Sequence, residues 1–341
     1  MLASRQFILN LDRKECKMKK LSIFLSIILC IALLSGCASN DDVPQTTIQV
    51  ASLKGPTTMG MVKLMNDAKE DNTSNNYEFN VYGTADEIVP QLVNKEVDIA
   101  LVPCNLASVL YNKTEGAVQV AGINTLGVLY ILESGDSVQS IEDLKGKTIY
   151  SVGKGTTPEF SLNYILAENG IEPGVDVSIE YKSEATELAA ILSQAENTIA
   201  VLPQPYATVV QTKNPNVRLA IDFTEEWEKI SDDSTLVTGV LLARKEFVEN
   251  NSKAFESFLD EYQASTKYVN ENPEEAAKWI EEYGIVPNVE IGVKAIPKCN
   301  ITFIEGDEMK AKVSGYLEVL FDANPNSVGG KLPEDDFYFI R

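Results

Sequence analysis

The sequence predicts an α/β protein of two lobes, each a mainly parallel sheet flanked by helices, joined by a two-segment hinge. Three observations carry this. Short apolar strands alternate with helical stretches from Ile48 to Leu132, the spacing of a parallel sheet with helices on both faces. The alternation repeats from Ile149 to Ile221. After one more strand at Val237–Ala243 the chain reads as helical to its end, so those helices must pack on layers already built.

Ile48–Leu53 alternates apolar and polar residues as a short strand does. Lys54-Gly55-Pro56 breaks it: Gly55 permits a sharp bend, and Pro56 bars the residue before it from the α region. Thr57 or Thr58 is placed to cap a helix whose apolar face is Met61, Val62, Leu64, Met65 and Ala68. Such a turn leaves backbone N–H groups at the positive end of a helix dipole, which suits a ligand oxygen. An ordinary capped turn has the same sequence signature.

The unit then recurs. Tyr77–Tyr82 alternates as a strand, and Ala85–Val93 carries Ile88, Val89, Leu92 and Val93 at helical spacing. Asp98–Val102 reads as a buried strand ending in Pro103-Cys104-Asn105, with Asn105 as N-cap of a helix over Leu106–Tyr111. Val118–Ile123 and Val128–Leu132 are expected as further strands of the same sheet. Ligands bind at the carboxyl ends of parallel strands. One rim should therefore hold Lys54–Thr58, Pro103–Asn105 and Thr125-Leu126-Gly127.

In the second run, Ile141–Ile149 reads as a short helix, a turn and a new strand. Ser151–Pro158 repeats the opening logic: a strand, a bend with Gly153 and Gly155, paired Thr156 and Thr157, then a helix over Glu159–Glu168. There is no Walker spacing and no GxGxxG, so this is not a phosphate loop. Strands at Val177–Tyr181, Ile199–Leu202 and Val217–Ile221 and helices at Glu184–Gln194 and Pro205–Gln211 complete the unit. Its rim should carry Gly155-Thr156-Thr157, Ser183-Glu184 and Pro203-Gln204-Pro205-Tyr206. The strand at Val237–Ala243, with Thr238 at its start, follows the polar run Ser231–Ser234. Helices then begin near Ser252, Pro273 and Gly306, and the aromatic end Phe337-Tyr338-Phe339 is expected to dock on the body.

The front of the chain reads as an address. Met18-Lys19-Lys20 precedes a fourteen-residue apolar run, Leu21–Leu34, and then Ser35-Gly36-Cys37. That is a secretory signal, too short for a spanning helix. Either Met1 or Met18 serves as the start. Residues 38–46 are a short polar tether. Residues 1–36 hold six Lys/Arg and two Asp/Glu, which leaves 23 basic against 48 acidic residues and a net charge of −25 beyond the signal. This excess disfavours nucleic acid and flat contact with anionic lipid. The chain has no histidine, so a His-dependent triad is excluded. It has no CxxC or other metal-ligand spacing either, and Cys104 and Cys299 are expected to be free thiols.

Leu34-Ser35-Gly36-Cys37 resembles the lipobox of bacterial lipoproteins, which implies that Cys37 is lipidated and holds the protein outside the cytoplasm on the cell membrane. The lipobox, the opening strand–turn–helix, the Asp98-Ile99-Ala100 strand, the Asp143-Leu144-Lys145-Gly146-Lys147 entry and the helical return together resemble the solute-binding proteins of ABC importers. The nearest group is the nitrate, sulfonate, taurine and pyrimidine-precursor (NMT1/THI5-like) branch, with a type II periplasmic-binding-protein fold. The resemblance implies a non-catalytic monomer without metal or cofactor, which closes on a small molecule and passes it to a permease and its ATPase. It implies residues 47–134 plus 236–341 as the first lobe and 135–235 as the second, with hinges near Glu133–Asp136 and Ser231–Leu236. It carries Thr57, Thr58, Asn105, Thr156 and Thr157 into the ligand shell. The full candidate set adds Lys54, Gly55, Pro56, Pro103, Gly127, Gly155, Gln204, Tyr206 and Thr238. Two alternatives stand beside it: a same-fold, cofactor-free lyase acting on a menaquinone precursor, and an extracellular sensor module. The ligand is either an anion met by Lys54 and Lys154 or a neutral heterocycle stacked on Tyr130 or Tyr206.

Overall fold

The computed structural model describes residues 46–231 and 234–341. The expected leader, Cys37 and all but the last residue of the tether lie outside the described residues.

Strand β1 (Thr47–Leu53) lies parallel to β2 (Asn76–Tyr82), with Val50 opposite Phe79, and to β3 (Ile99–Pro103). β4 (Val118–Thr125) follows the helix Cys104–Lys113, and the chain then crosses to a second sheet. There β5 (Leu129–Ser134), β6 (Thr148–Ser151), β7 (Ser178–Tyr181), β8 (Thr198–Pro203) and β9 (Val217–Asp222) pair in the order β7-β6-β8-β5-β9. The chain returns as β10 (Gly239–Arg244), inserted antiparallel between β3 and β4, and adds β11 (Ile301–Ile304) at the edge. The first sheet thus has the order β11-β4-β10-β3-β1-β2. In each sheet four strands run one way, so their carboxyl ends share a rim.

Two sequence expectations change here. Val128–Leu132 was expected in the first sheet. Instead β5 pairs with β8 and β9 in the second, with Ile131 facing Val201 and Ile221. The chain therefore leaves the first sheet between Thr125 and Leu129. Glu133, expected near a crossing between lobes, lies inside the second sheet, where its carboxylate meets Arg218 at 2.5 Å and accepts from the Ser137 and Val138 amides. An apolar run says that a strand is buried, not which sheet claims it. The other change is β11, four residues in a stretch read as helical. A short edge strand is stabilised by its neighbour more than by its own pattern.

The two crossings lie side by side. The Thr238 amide donates to the Thr125 carbonyl at 3.1 Å, and the Cys104 amide to the Thr238 carbonyl at 3.2 Å.

One continuous core joins both sheets. It takes Ala51, Val102 and Val120 from the first, Ile131, Ile149 and Val201 from the second, and Met309, Tyr316 and Leu320 of the helix Gly306–Ala323. Trp227 is fully buried within it, its ring 5.3 Å from that of Tyr316 and 4.9 Å from that of Tyr164. The other face of the first sheet is covered by the helices Val62–Lys69, Ser252–Glu271 and Pro273–Glu282. The aromatic tail docks: Phe337 is buried against Tyr111, and the Phe339 amide donates to the Val120 carbonyl. No helix of the described residues is long and apolar enough to cross a membrane.

Candidate functional site

The rims of the two sheets face each other across a cavity of about 450 Å³. From the first sheet come the turn after β1 (Lys54–Thr57), the turn after β2 (Gly83–Asp86), Pro103 after β3 and Thr125 at the end of β4. From the second come Val152–Pro158 except Gly155, Tyr181–Ala185, Pro203 and Tyr206, with Val128 and Leu129 at the crossing and Thr238 on the return. The placement follows from topology: carboxyl ends of parallel strands open on a common edge, where the chain turns into helices.

Of the sequence candidates, Lys54, Gly55, Pro56, Thr57, Pro103, Thr156, Thr157, Tyr206 and Thr238 line this cavity. The turn at Gly55 has φ 150° and ψ −154°, a conformation that suits glycine. Gly239, just past Thr238, sits in a close approach: a Cβ there would fall 2.5 Å from Asn124 Oδ1 and 3.0 Å from the Thr57 methyl.

Five candidates do not line it. Thr58 is fully buried; its hydroxyl donates to the Leu53 carbonyl and lies 2.6 Å from Ser52 Oγ. Asn105 is not a cap. Pro103 is the N-cap, and the buried Asn105 amide donates to the Ser327 carbonyl at 2.9 Å and to the Gly155 carbonyl at 3.3 Å. Gly155 turns that carbonyl toward Asn105 and so stays off the wall. Gly127 sits at the crossing, where a Cβ would overlap the Thr224 hydroxyl, and its carbonyl accepts from Asn300. Gln204 is fully buried and accepts from Thr208 Oγ1 at 2.8 Å. Thr57 and Thr58 are not caps either, since Gly55 holds that position and both hydroxyls donate back to Leu53. Tyr130 does not line the cavity; its ring is buried and its hydroxyl lies 3.5 Å from the Lys298 carbonyl.

Gly83–Asp86, Tyr181 and Lys182 reach the cavity without having been candidates. The signal for the first was present: Thr84 and Glu87 form a capping box directly after a strand.

The lobes touch around the cavity. Tyr206 donates to the Lys54 carbonyl at 3.2 Å, and Thr157 Oγ1 lies 3.4 Å from Asn105 Oδ1. Burial, reinforced by Glu184, raises the Tyr206 phenol above its ordinary range, and burial with Glu159 does the same for Tyr181. Both are donors at any physiological pH. Lys154 lies 5.8 Å from the centre of the Tyr181 ring and Lys182 5.1 Å from that of Tyr150, both within cation–π reach. No group of acidic, cysteine or histidine side chains among the described residues is arranged to hold a metal. Cys104 and Cys299 are free and buried, and neither lines the cavity.

A family model described as NMT1/THI5 like matches residues 81–276, more than half of the chain. The chain belongs to the NMT1/THI5-like family. Solved structures agree on the fold of this NMT1/THI5-like protein. An ABC transporter protein from Parabacteroides distasonis is 24% identical, with TM-score 0.70, over 86% of this chain and 98% of that one. The alkanesulfonate-binding protein SsuA from Xanthomonas axonopodis pv. citri, solved with MOPS, is 13% identical, with TM-score 0.67, over 85% and 95%. The periplasmic nitrate-binding protein NrtA from Synechocystis PCC 6803 is 13% identical, with TM-score 0.62, over 84% of each chain. The fold is the type II periplasmic-binding-protein fold. No curated protein sequence matches the chain.

Proposed function

We propose that this protein is the non-catalytic, extracytoplasmic solute-binding component of an ABC importer, lipid-anchored through Cys37, which captures a small molecule between its lobes for a permease. The observation that carries this is the cavity walled by the rims of both sheets. A molecule held there contacts two bodies linked by two short crossings, so its binding favours the closed arrangement by its differential affinity for it. In this reading the first lobe holds residues 47–126 and 239–341 and the second 129–231, with hinges at Leu126–Val128 and Ser234–Thr238. The names of the structural neighbours, import components and binding proteins, support the reading. Lys54–Thr57 from one lobe, Thr156 and Tyr206 from the other and Thr238 at the return crossing form the proposed ligand shell.

Two measurements test it. Small-angle scattering of the chain from Ala38 onward, before and after incubation with a low-molecular-mass cell extract, should show compaction. Absence of any compaction or retained solute removes the binding reading. Cys37→Ala should move the full-length protein out of the detergent phase while leaving solute retention intact; unchanged partitioning removes the anchor.

A further inference from the structure

Three cavity hydroxyls, one on the first lobe and two on the second, point their hydrogens away from the cavity and so the wrong way for an oxyanion. Thr57 Oγ1 donates to the Leu53 carbonyl at 2.9 Å, Thr156 Oγ1 to the Gly153 carbonyl at 2.7 Å, and Tyr206 to the Lys54 carbonyl at 3.2 Å. A carbonyl cannot donate, so the direction of each bond is settled. Thr84 and Tyr181 spend theirs on the carboxylates of Glu87 and Glu159. What these groups offer the cavity is lone pairs. Thr238 Oγ1, buried and without a hydrogen-bond partner among the described residues, is still able to donate.

Charge does not reverse this. No arginine lines the cavity to clamp an oxyanion on two bonds. Lys154 and Lys182 lie over tyrosine rings, and the carboxylates of Asp86 and Glu184 share the cavity with Lys54. Size points the same way: about 450 Å³ is room for a drug-sized molecule, walled largely by Leu53, Val128, Leu129, Val152 and prolines. A small anion would fill a fraction of it and set its acceptors against the lone pairs of Thr57, Thr156 and Tyr206.

We infer that this cleft selects an organic solute of drug-like size that carries N–H or O–H donors on an apolar body, and discriminates against small acceptor-only oxyanions. The inference rests on the solute-binding reading above and narrows it. A ligand donor on Thr57 or Thr156 completes a hydroxyl whose hydrogen is already placed, so the site is organised before the ligand arrives.

The test uses the chain from Ala38 onward. Calorimetry with nitrate and with ethanesulfonate should give no binding at millimolar concentration. Native mass spectrometry after incubation with a low-molecular-mass cell extract, run in H₂O and in D₂O, should show a retained solute of roughly 200–500 Da, the drug-sized range. That solute should gain deuterium at two or more exchangeable positions. Thr57→Val, which keeps the shape and removes the lone pairs, should weaken its retention about ten-fold, the cost of one unmade hydrogen bond; an unchanged thermal midpoint shows that the variant is folded. Submillimolar binding of either anion, or a retained solute without exchangeable hydrogens, overturns the donor inference and leaves solute binding standing. Retention of nothing, with no binding of either anion, removes both.

Discussion

The Tyr206 hydroxyl donates to the backbone carbonyl of Lys54 at 3.2 Å, tying the helix after β8 to the turn after β1 across the cavity. The phenol is nine-tenths buried or more and kept protonated by burial, so it donates at every physiological pH. A neutral hydrogen bond of this kind contributes about 0.5–1.5 kcal/mol. In the proposed function this bond belongs to the closed arrangement, because it spans the two lobes.

Tyr206→Phe should therefore loosen closure without unfolding either lobe. The expected result is a roughly two- to ten-fold loss of affinity for the retained solute, together with a larger radius of gyration in scattering of the free chain. A variant with wild-type affinity and radius would show that the bond does not report on closure.

Glu133 gives the second prediction. Burial raises its pKa, but bonds from the Ser137 hydroxyl and the Val138 and Ser137 amides, with the Arg218 charge, outweigh this and lower it below the ordinary 4.5. A depressed carboxylate pKa contributes stability above the unfolded value and loses it as pH falls through the folded one. The contribution is thus complete above about 4.5 and is lost on further acidification. Glu133→Gln should cost roughly 1–3 kcal/mol at neutral pH, and the gap from wild type in urea unfolding should narrow below pH about 4.5. A gap that is constant with pH would mean that the charge of Glu133 contributes nothing.

Cys104 and Cys299 should titrate only on unfolding. Both are fully buried, and burial alone raises both thiols far above their ordinary range. Cys299 Sγ packs 3.8 Å from Met59 Sδ, while Cys104 lies in the core that joins both sheets. For the chain from Ala38 onward, a thiol reagent should find none reactive in the native state and both in denaturant. Fast native labelling of either would contradict the packing.

What was legible in the sequence was what local chemistry decides. Strand ends followed by Gly-Pro, Gly-x-Gly-Thr or Pro-x-Pro mark turns, and the parallel-sheet rule brings such turns to one edge; Lys54–Thr57, Thr156 and Tyr206 all reach the cavity by that logic. Long-range partners were illegible. Asn105 reads as a helix cap because its neighbours in sequence say so, yet its amide is claimed by Ser327, 222 positions away. Thr58 reads as a rim hydroxyl, but Ser52 and Leu53 hold it inside. The strand Leu129–Ser134 is apolar enough for either sheet, and only its pairing with β8 and β9 assigns it to the second.

Trp227 and Tyr316 give the last prediction. Their rings pack 5.3 Å apart at a 42° tilt between the second sheet's helix Phe223–Ile230 and the helix Gly306–Ala323, and Tyr316 lies 3.2 Å from Ser161 Oγ on a third helix. Neither aromatic is exposed, and the Trp227 indole donates to Ser234 Oγ at 2.7 Å on the return crossing. This seam lies within the core that joins both sheets, so any lobe rotation must turn about it or break it. Breaking it would expose two large aromatics, each worth several kcal/mol of burial, far more than the single Tyr206 bond on the cavity side. Rotation should therefore pivot at this seam and open at Tyr206. Trp227→Ala should lower unfolding free energy by about 3–5 kcal/mol, whereas Trp227→Phe, which keeps most of the packing, should lose less and still bind. In a Trp279→Phe background, which leaves Trp227 as the one tryptophan, quenching of Trp227 fluorescence by acrylamide should stay low both free and with extract solute bound. A rise in quenching on opening would place the pivot elsewhere.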